Sequence, residues 1–243
     1  MKYKNLTIIG TSHIAKQSLE DVKSFVEKES PDILALELDK KRYFALTHDV
    51  KRRVRIADIK RIGLKGFLFN VVGAWIEKKL GKMVGVKPGA EMITAISLAK
   101  KHKLRLALID QDIELTLKRI SKELTLRERL NFIVDILKGV FFGKTELKKL
   151  GIKQIDLTKV PPKTLIKKLT GMMKKRYPGL YLVLVEERNR VMASNLKQLI
   201  ERFPAKKILA IVGAGHEEEL MDMVKSPYPQ ITYSFKIRNV YKQ

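Results

Sequence analysis

Four short runs of apolar residues constrain the fold of this chain more than any other feature of its sequence. The runs are nearly continuous and do not alternate with polar residues, which is typical of strands buried on both faces of a parallel sheet. They are LTIIG at 6–10, ILALEL at 33–38, LRLALID at 104–110 and ILAIVG at 208–213. Helical patterns at 18–29 and 88–102 lie between them. The sequence therefore predicts an α/β fold with a mainly parallel central sheet and flanking helices, and TYSFKI at 232–237 as an edge strand.

The middle of the chain has a different pattern. From about 112 to 203 the sequence has helical periodicity and no convincing strand, which predicts a large helical insertion within a single domain spanning 1–243. Inside this region, Thr125 and Glu128 have the spacing of a capping box at a helix N-terminus. Residues 178–203 have apolar positions at helical spacing and predict one long helix.

Two of the four histidines occupy the same place in the same local pattern. His13 ends GTSH just after the first predicted strand, and His216 ends GAGH just after the fourth. Glu37 and Asp110 stand at the ends of the second and third predicted strands. Because ligands bind beyond the carboxyl ends of the strands in open α/β sheets, we expect these side chains to converge on one rim. Histidine and carboxylate together suit a divalent transition metal.

The structural alternative for these histidines is a hydrogen-bonded residue without a ligand, since a single Gly-x-x-His match is common by chance. The HEEEL run that begins at His216 also lacks the second histidine of a zincin helix. The matched placement of His13 and His216 favours a functional role for this pair. His48 and His102 lie in Lys-rich helical surroundings, and we expect both at the surface.

Three carboxylates stand near the starts of predicted helices. Asp39 and Asp112 follow strand ends, where they either join the carboxylates of the rim or, as the structural alternative, cap the helices that follow. Glu91 lies in the first turn of the helix at 88–102, where the helix dipole favours a negative charge. The alternative for Glu91 is a place at the mouth of the sheet, as a metal ligand or a general base.

A polar cluster interrupts the long apolar helix at 178–203. It contains Glu187, Arg188 and Asn189. One interpretation is a solvated stripe with local ion pairs. The other is a buried Arg–Asn pair directed at the rim, where it could hold a substrate carbonyl or carboxylate. Asparagine is a poor residue for a helix interior and gains nothing on a bare surface, which makes the second interpretation the more specific one.

The charge of the chain is strongly basic, with 50 Lys and Arg against 26 Asp and Glu and a net charge of +24. Such a surface attracts nucleic acid or anionic lipid without a specific site. A Lys-rich surface selected for solubility or high temperature is the slightly favoured alternative, because the lysines are spread over many segments. Because the helical insertion is both apolar and basic, we also expect that the protein can form a homodimer.

Several classes of protein are excluded by simple patterns. The chain has no cysteine, which excludes disulfides and thiolate metal sites. The most apolar stretch, 63–76, is interrupted by Lys65 and Asn70 and is shorter than the roughly 18 apolar residues that a membrane span needs. The first residues show no signal-peptide pattern, so we expect a cytoplasmic protein, with peripheral membrane contact as an open alternative.

These motifs together resemble the TraB/PrgY family, which belongs with TIKI-type proteins and, more distantly, with ChaN-like and erythromycin-esterase-like folds. The likeness runs from residue 10 to residue 216 and so covers nearly the whole chain. The matching motifs are Gly10-Thr11-Ser12-His13, Glu37-Leu38-Asp39 with Arg42, Pro88-Gly89-Ala90-Glu91-Met92, Ile109-Asp110, Glu187-Arg188-Asn189 with Met192, and Gly213-Ala214-Gly215-His216.

The resemblance implies a metal-dependent hydrolase built around the two Gly-x-x-His motifs. TIKI members are regarded as peptidases that act near protein N-termini, and bacterial TraB/PrgY members reduce the activity of a peptide pheromone. The implied cofactor is manganese, zinc or cobalt. The implied roles are metal-site residues for His13 and His216, ligand or general base for Glu37 and Glu91, substrate positioning or transition-state stabilisation for Arg188 and Asn189, and substrate binding for Arg42, Asp110 and Glu187.

Two functions follow as hypotheses. The first is a peptidase that acts on peptide or protein substrates. The second is a binding protein without turnover, for which ChaN-like relatives suggest a haem-type ligand and the charge suggests nucleic acid or an anionic membrane.

Overall fold

The four apolar runs form the four central strands of one sheet. The structure is a computed structural model that describes residues 1–12, 16–48, 58–84, 89–132, 134–135, 159–227 and 237–239. The central strands are β2 (Leu6–Thr11), β3 (Ile33–Leu36), β4 (Arg105–Leu108) and β5 (Ile208–Gly213). They run parallel in the order β2-β5-β3-β4. The predicted α/β fold with a mainly parallel sheet is confirmed.

Two short antiparallel strands border this sheet. β1 (Lys2–Tyr3) pairs with β2, and β6 (Ile237–Asn239) pairs with β4. The predicted edge strand at 232–237 coincides with β6 at Ile237, and residues 232–236 lie outside the described part.

Helices cover both faces of the sheet, which explains why the strand runs are continuously apolar. On one face, α1 (Lys16–Glu29) and α4 (Ala90–Lys101) pack against Leu209 and Ile211 of β5. On the other face, α8 (Arg188–Arg202) and α9 (Glu217–Lys225) pack against the alternate residues of the same strand, Ala210 and Val212. The strand is thus buried on both sides, with adjacent side chains in different cores.

Four further helices contribute to a third apolar cluster: α3 (Asp58–Val84), α5 (Ile113–Glu123), α6 (Lys163–Arg176) and α7 (Pro178–Tyr181). The helix α2 (Lys40–Thr47) instead packs with α1 and α4 through Tyr43 and Leu46. Gly66 lets α3 cross α5 closely, since a Cβ at this position would lie 2.3 Å from the carbonyl oxygen of Leu117. Between 112 and 203, the described residues are helical and contain no strand, which agrees with the predicted insertion.

The predicted helix at 178–203 is continuous but not uniform. After α7, residues Leu182–Glu187 form a π-helical segment, and α8 begins at Arg188. π turns are rare and often lie at functional sites. Among the described helices, none has both the length and the apolar character that crossing a membrane demands.

The capping box at Thr125 is present and extends to a second helix. The Glu128 carboxylate accepts hydrogen bonds from Thr125 N (2.9 Å) and Thr125 Oγ1 (2.7 Å) at the start of its own helix. It also accepts one from Gly179 N (2.7 Å) and one from Leu180 N (3.3 Å) in α7. One buried carboxylate therefore joins two helix N-termini.

We expect Glu128→Ala to lower the free energy of unfolding by about 2–3 kcal/mol, because it leaves buried donors without their charged acceptor. Burial raises the pKa of Glu128, but its hydrogen bonds with Thr125 and Gly179 outweigh that effect and lower it. The stabilisation is therefore full above the unfolded pKa of about 4.3 and is lost as the pH falls through the lower folded value. Urea denaturation at neutral and acidic pH measures it, with Glu201→Ala at an exposed site as the control. A difference of less than about 0.5 kcal/mol between the two variants would contradict this role.

Candidate functional site

The two Gly-x-x-His motifs follow neighbouring strands. β2 pairs with β5 up to the register Thr11–Gly213, and Ala214 N donates a hydrogen bond to Thr11 O (2.8 Å). Gly10 permits this close approach, since a Cβ there would lie 3.0 Å from Ala214 Cα. His13 itself lies outside the described residues. The expected adjacency of the two strand ends is confirmed, and a shared site for the two histidines stays a prediction.

Glu37 lies at the centre of the rim, directly after β3. Its side chain is 2% exposed. Oε2 accepts a hydrogen bond from Gly213 N (2.5 Å), and Oε1 contacts Arg188 Nη2 and lies 3.6 Å from His216 Nε2. These contacts fix the carboxylate between the ends of β3 and β5.

Arg188 joins Glu37 to Asp110. Its Nε and Nη2 donate to the two oxygens of Asp110 (3.0 and 2.7 Å), and Nη2 also contacts Glu37. Nη1 lies 3.3 Å from both Leu184 O and His216 Nε2. Burial would lower the pKa of Arg188, but the charges of Asp110 and Glu37 raise it overall, so this side chain is a permanent cation. The bidentate contact fixes the guanidinium plane in the rim.

Arg42 holds Asp110 from the opposite side, with Nη1 3.0 Å from Oδ2. Asp39 directs this arginine, because its Oδ1 caps α2 by accepting from Lys41 N (2.7 Å) and Arg42 N (3.1 Å). Burial raises the pKa of Asp39, and the two cap hydrogen bonds act against it. Asp39 and Asp112 are both N-caps, which was the structural alternative for these two residues.

His216 is held through its inner nitrogen. Nδ1 lies 2.7 Å from Asn189 Oδ1, and Asn189 is fully buried. Asn189 Nδ2 in turn donates to Glu219 Oε2 (3.1 Å). Arg188 and Asn189 are consecutive residues at the start of α8, and both contact His216. The predicted buried Arg–Asn pair is thus present at the rim.

A cavity of about 300 Å³ opens beside this cluster. Its polar side is formed by Glu37, Arg42, Asp110 and Arg188. The apolar side comes from α3, α5 and the π-helical segment and includes Phe69, Ile113, Leu117, Ile120 and Leu184. The volume lies at the lower end of the range of ligand pockets, which are typically apolar with a few convergent polar groups.

A family model for TraB/PrgY/gumN proteins matches residues 2–219. The chain belongs to the TraB/PrgY/gumN family. It is 33% identical over 223 residues to an uncharacterised protein of Methanocaldococcus jannaschii, a match that covers 91% of this chain and 53% of that protein. It is also similar to TraB domain-containing proteins of Bos taurus (23% identical, 86% of this chain, 59% of the relative) and Homo sapiens (22%, 86% and 60%). The chain therefore spans little more than half the length of these relatives.

Two further residues of the predicted site, like His216, are not among the residues that line the cavity. Glu91 is 1% exposed in the first turn of α4 and does not line the cavity. Glu187 faces α5, where it accepts hydrogen bonds from Arg119 Nε (3.1 Å) and Nη2 (2.5 Å), and it does not line the cavity either. Their roles as base or ligand and in substrate binding stay predictions.

The two other histidines are exposed, as expected. His48 and His102 follow the last turns of α2 and α4. The structure also adds two residues to the site that the sequence did not single out, Glu219 and Tyr181. Glu219 is one of three consecutive glutamates, and nothing in that run distinguishes the one that points at Asn189.

The described residues contain no group of three or more His, Cys, Asp and Glu side chains that could hold a metal ion. Glu37 and His216 supply two donors of the expected chemistry within 3.6 Å of each other. His13, the other histidine of the predicted metal site, lies outside the described part.

Proposed function

We propose that this chain is a metal-dependent hydrolase that cleaves peptides or protein N-termini. The observation that supports it best is the position of His216 Nε2, 3.6 Å from Glu37 Oε1. The two side chains follow the carboxyl ends of adjacent parallel strands. Imidazole and carboxylate are ligands for manganese, zinc and cobalt. The hydrogen bond between Asn189 and the other ring nitrogen is the outer contact that histidine ligands usually have.

His216, Glu37 and His13 would hold the metal, with Glu91 as a further candidate for ligand or general base. The strand that leads to His13 ends at Thr11, opposite Gly213 of the strand that leads to His216, which supports a shared centre. A bound divalent metal would supply a Lewis acid that activates water and polarises a carbonyl group.

The side chains around this centre have complementary tasks. Glu37 Oε1 could bind the metal or, if Glu91 is the ligand instead, could orient an attacking water and take its proton. Arg188 Nη1, which lies 3.3 Å from His216 Nε2, could stabilise negative charge on a carbonyl oxygen. Arg42 and Asp110 would fix the position of Arg188, because they complete its ion-pair cluster.

The cavity supports a peptide as the substrate. An apolar side chain of a peptide would bury surface against Phe69, Leu117 and Leu184, at about 25 cal/mol for each Å². The reacting carbonyl would then lie next to Arg188 and Glu37, which line the same cavity. Asn70 adds an amide that could hydrogen-bond to a peptide backbone.

Incubation with a peptide mixture tests this function directly. The chain is first treated with a chelator and is then supplied with Mn²⁺, Zn²⁺ or Co²⁺ in separate reactions, and mass spectrometry identifies the products. We expect cleavage with at least one metal and none after chelation. The absence of cleavage with all three metals, or cleavage that chelation leaves unchanged, would contradict the proposal.

Binding without turnover is the second candidate function, and α6 is the observation that favours it. Six of its 14 residues are Lys or Arg, none is acidic and none is buried. Such a basic helix suits nucleic acid or an anionic membrane. Retention on either one that weakens steeply with salt, together with no cleavage in the preceding assay, would favour this function.

A further inference from the structure

Glu219 and Tyr181 form a chain of hydrogen bonds with Asn189. Asn189 contacts Nδ1 of His216, the ring nitrogen other than the one near Glu37. Tyr181 Oη donates to Glu219 Oε1 (2.5 Å), and Asn189 Nδ2 donates to Glu219 Oε2 (3.1 Å). Asn189 Oδ1 then lies 2.7 Å from His216 Nδ1. We infer that Glu219 and Tyr181 are positioning residues, which act through Asn189 to fix His216 as the tautomer with its proton on Nδ1.

The donor–acceptor direction along these hydrogen bonds follows from Glu219, the one member of the series that cannot donate. An ionised carboxylate accepts hydrogen bonds and has no proton to give, so Glu219 must face the NH₂ group of Asn189. The amide oxygen of Asn189 is then turned to His216, and Nδ1 must be the nitrogen that carries the proton. Nε2 becomes the acceptor nitrogen, beside Arg188 Nη1 (3.3 Å), which can only donate.

Tyr181 keeps Glu219 in this role. The tyrosine is 3% exposed, and a buried hydroxyl needs a hydrogen-bond partner. Burial and the neighbouring Glu219 raise the pKa of Tyr181, so the hydroxyl remains a donor throughout the neutral range. Glu219 Oε1 is thereby occupied, and Oε2 is the oxygen that faces Asn189.

The π-helical segment brings both partners of Glu219 to one side. Tyr181 and Asn189 are eight residues apart, which at 3.6 residues per turn would leave them about 80° apart around the helix axis. The π turns at Leu182–Glu187 take more residues per turn and reduce this angle. The segment therefore has a definite effect on the site, since it allows Tyr181 and Asn189 to reach the same carboxylate.

The consequence for metal binding rests on the proposed function, whereas the tautomer itself does not. If His216 is a metal ligand, this series of hydrogen bonds presents the unprotonated Nε2 to the metal. It excludes the tautomer that carries its proton on Nε2. Loss of such an outer-shell contact typically weakens metal affinity by about 10–100-fold.

NMR of the histidine ring nitrogens in metal-free protein tests the inference without any activity. With only four histidines, His216→Gln assigns the relevant signals. At pH 8.5, where an ordinary imidazole is neutral, we expect wild-type His216 to carry its proton on Nδ1. Glu219→Gln should add a population with the proton on Nε2. Glu218→Gln is the matched control. It removes the same charge from the neighbouring glutamate, which pairs with the exposed Lys167.

Several outcomes would overturn the inference. A wild-type His216 with its proton on Nε2 would do so, and so would a Glu219→Gln spectrum that matches that of Glu218→Gln. Tyr181→Phe provides a second variant if Glu219→Gln does not fold, and it too should increase the Nε2 proton population. An unchanged tautomer in Tyr181→Phe would show that Tyr181 does not help to fix His216.

Calorimetric titration with Co²⁺ alone separates this inference from the proposed function. We expect the dissociation constant to rise about 10–100-fold in Glu219→Gln and to stay unchanged in Glu218→Gln. Wild-type protein that has the Nδ1 proton but binds no metal would refute the proposed function and leave the inference intact. Metal binding with equal affinity in wild type and Glu219→Gln would refute the effect of Glu219 on metal binding and leave the proposed function intact, while the NMR spectra alone decide the tautomer.

Discussion

Arg188→Met is expected to lower the free energy of unfolding by about 3–5 kcal/mol, the typical effect of removing one partner from a buried ion-pair cluster. Methionine has a similar length but no charge, so the substitution leaves Glu37 and Asp110 without the guanidinium that joins them. Both carboxylate side chains are 2% exposed, and water cannot easily replace the lost cation.

Urea denaturation followed by circular dichroism measures this effect. Arg190→Met is the matched control, because Arg190 lies two residues later in the same helix, is 51% exposed and pairs with Glu186 at the surface. We expect this control to cost about 0–1 kcal/mol. A cost below about 1 kcal/mol for Arg188→Met would contradict this expectation. It would show that Glu37 and Asp110 tolerate each other when Arg42 is the remaining cation in the described ion-pair cluster.

Arg188 also links the stability of the site to its proposed activity. Its guanidinium balances Glu37 and Asp110 and lies against His216, so any variant at this position changes the fold and the rim together. Glu219 offers a cleaner route to the site. It is linked to His216 through Asn189, and the ion pair between Arg188 and Asp110 does not involve it.

The sheet was largely predictable because its signal is local. Strands covered on both faces need apolar residues at nearly every position, and the four runs have them. The buried Arg–Asn pair was predictable for a similar reason, since Asn189 is costly in a helix unless something holds it. The ends of the strands then followed from topology, which brought Glu37 and His216 together.

Other parts of the site depend on packing that sequence spacing does not reveal. The π-helical segment changes which residues of 178–203 share a face, and uniform helical periodicity gave no indication of it. Glu187 pairs with Arg119 on a different helix, and no spacing in the sequence indicates that contact. The choice of Glu219 over its two glutamate neighbours depends on where α9 lies relative to α8, which is a tertiary property.

The largest kinetic effects are expected from His13→Ala and His216→Ala. Each removes a proposed metal ligand, so metal-stimulated peptide cleavage should fall by well over the roughly 100-fold that marks loss of an outer-shell contact. His48→Ala and His102→Ala are matched controls at exposed positions and should retain full activity. Initial rates at saturating metal, with circular dichroism to verify folding, give the comparison.

The double variant decides whether the two histidines share one centre. Residues that act as a unit are strongly non-additive, because the first substitution already removes the function to which the second contributes. His13→Ala/His216→Ala should therefore cleave no more slowly than either single variant. Cleavage that survives either single substitution would refute the mechanism, and rate losses that multiply in the double variant would place the two histidines in separate roles.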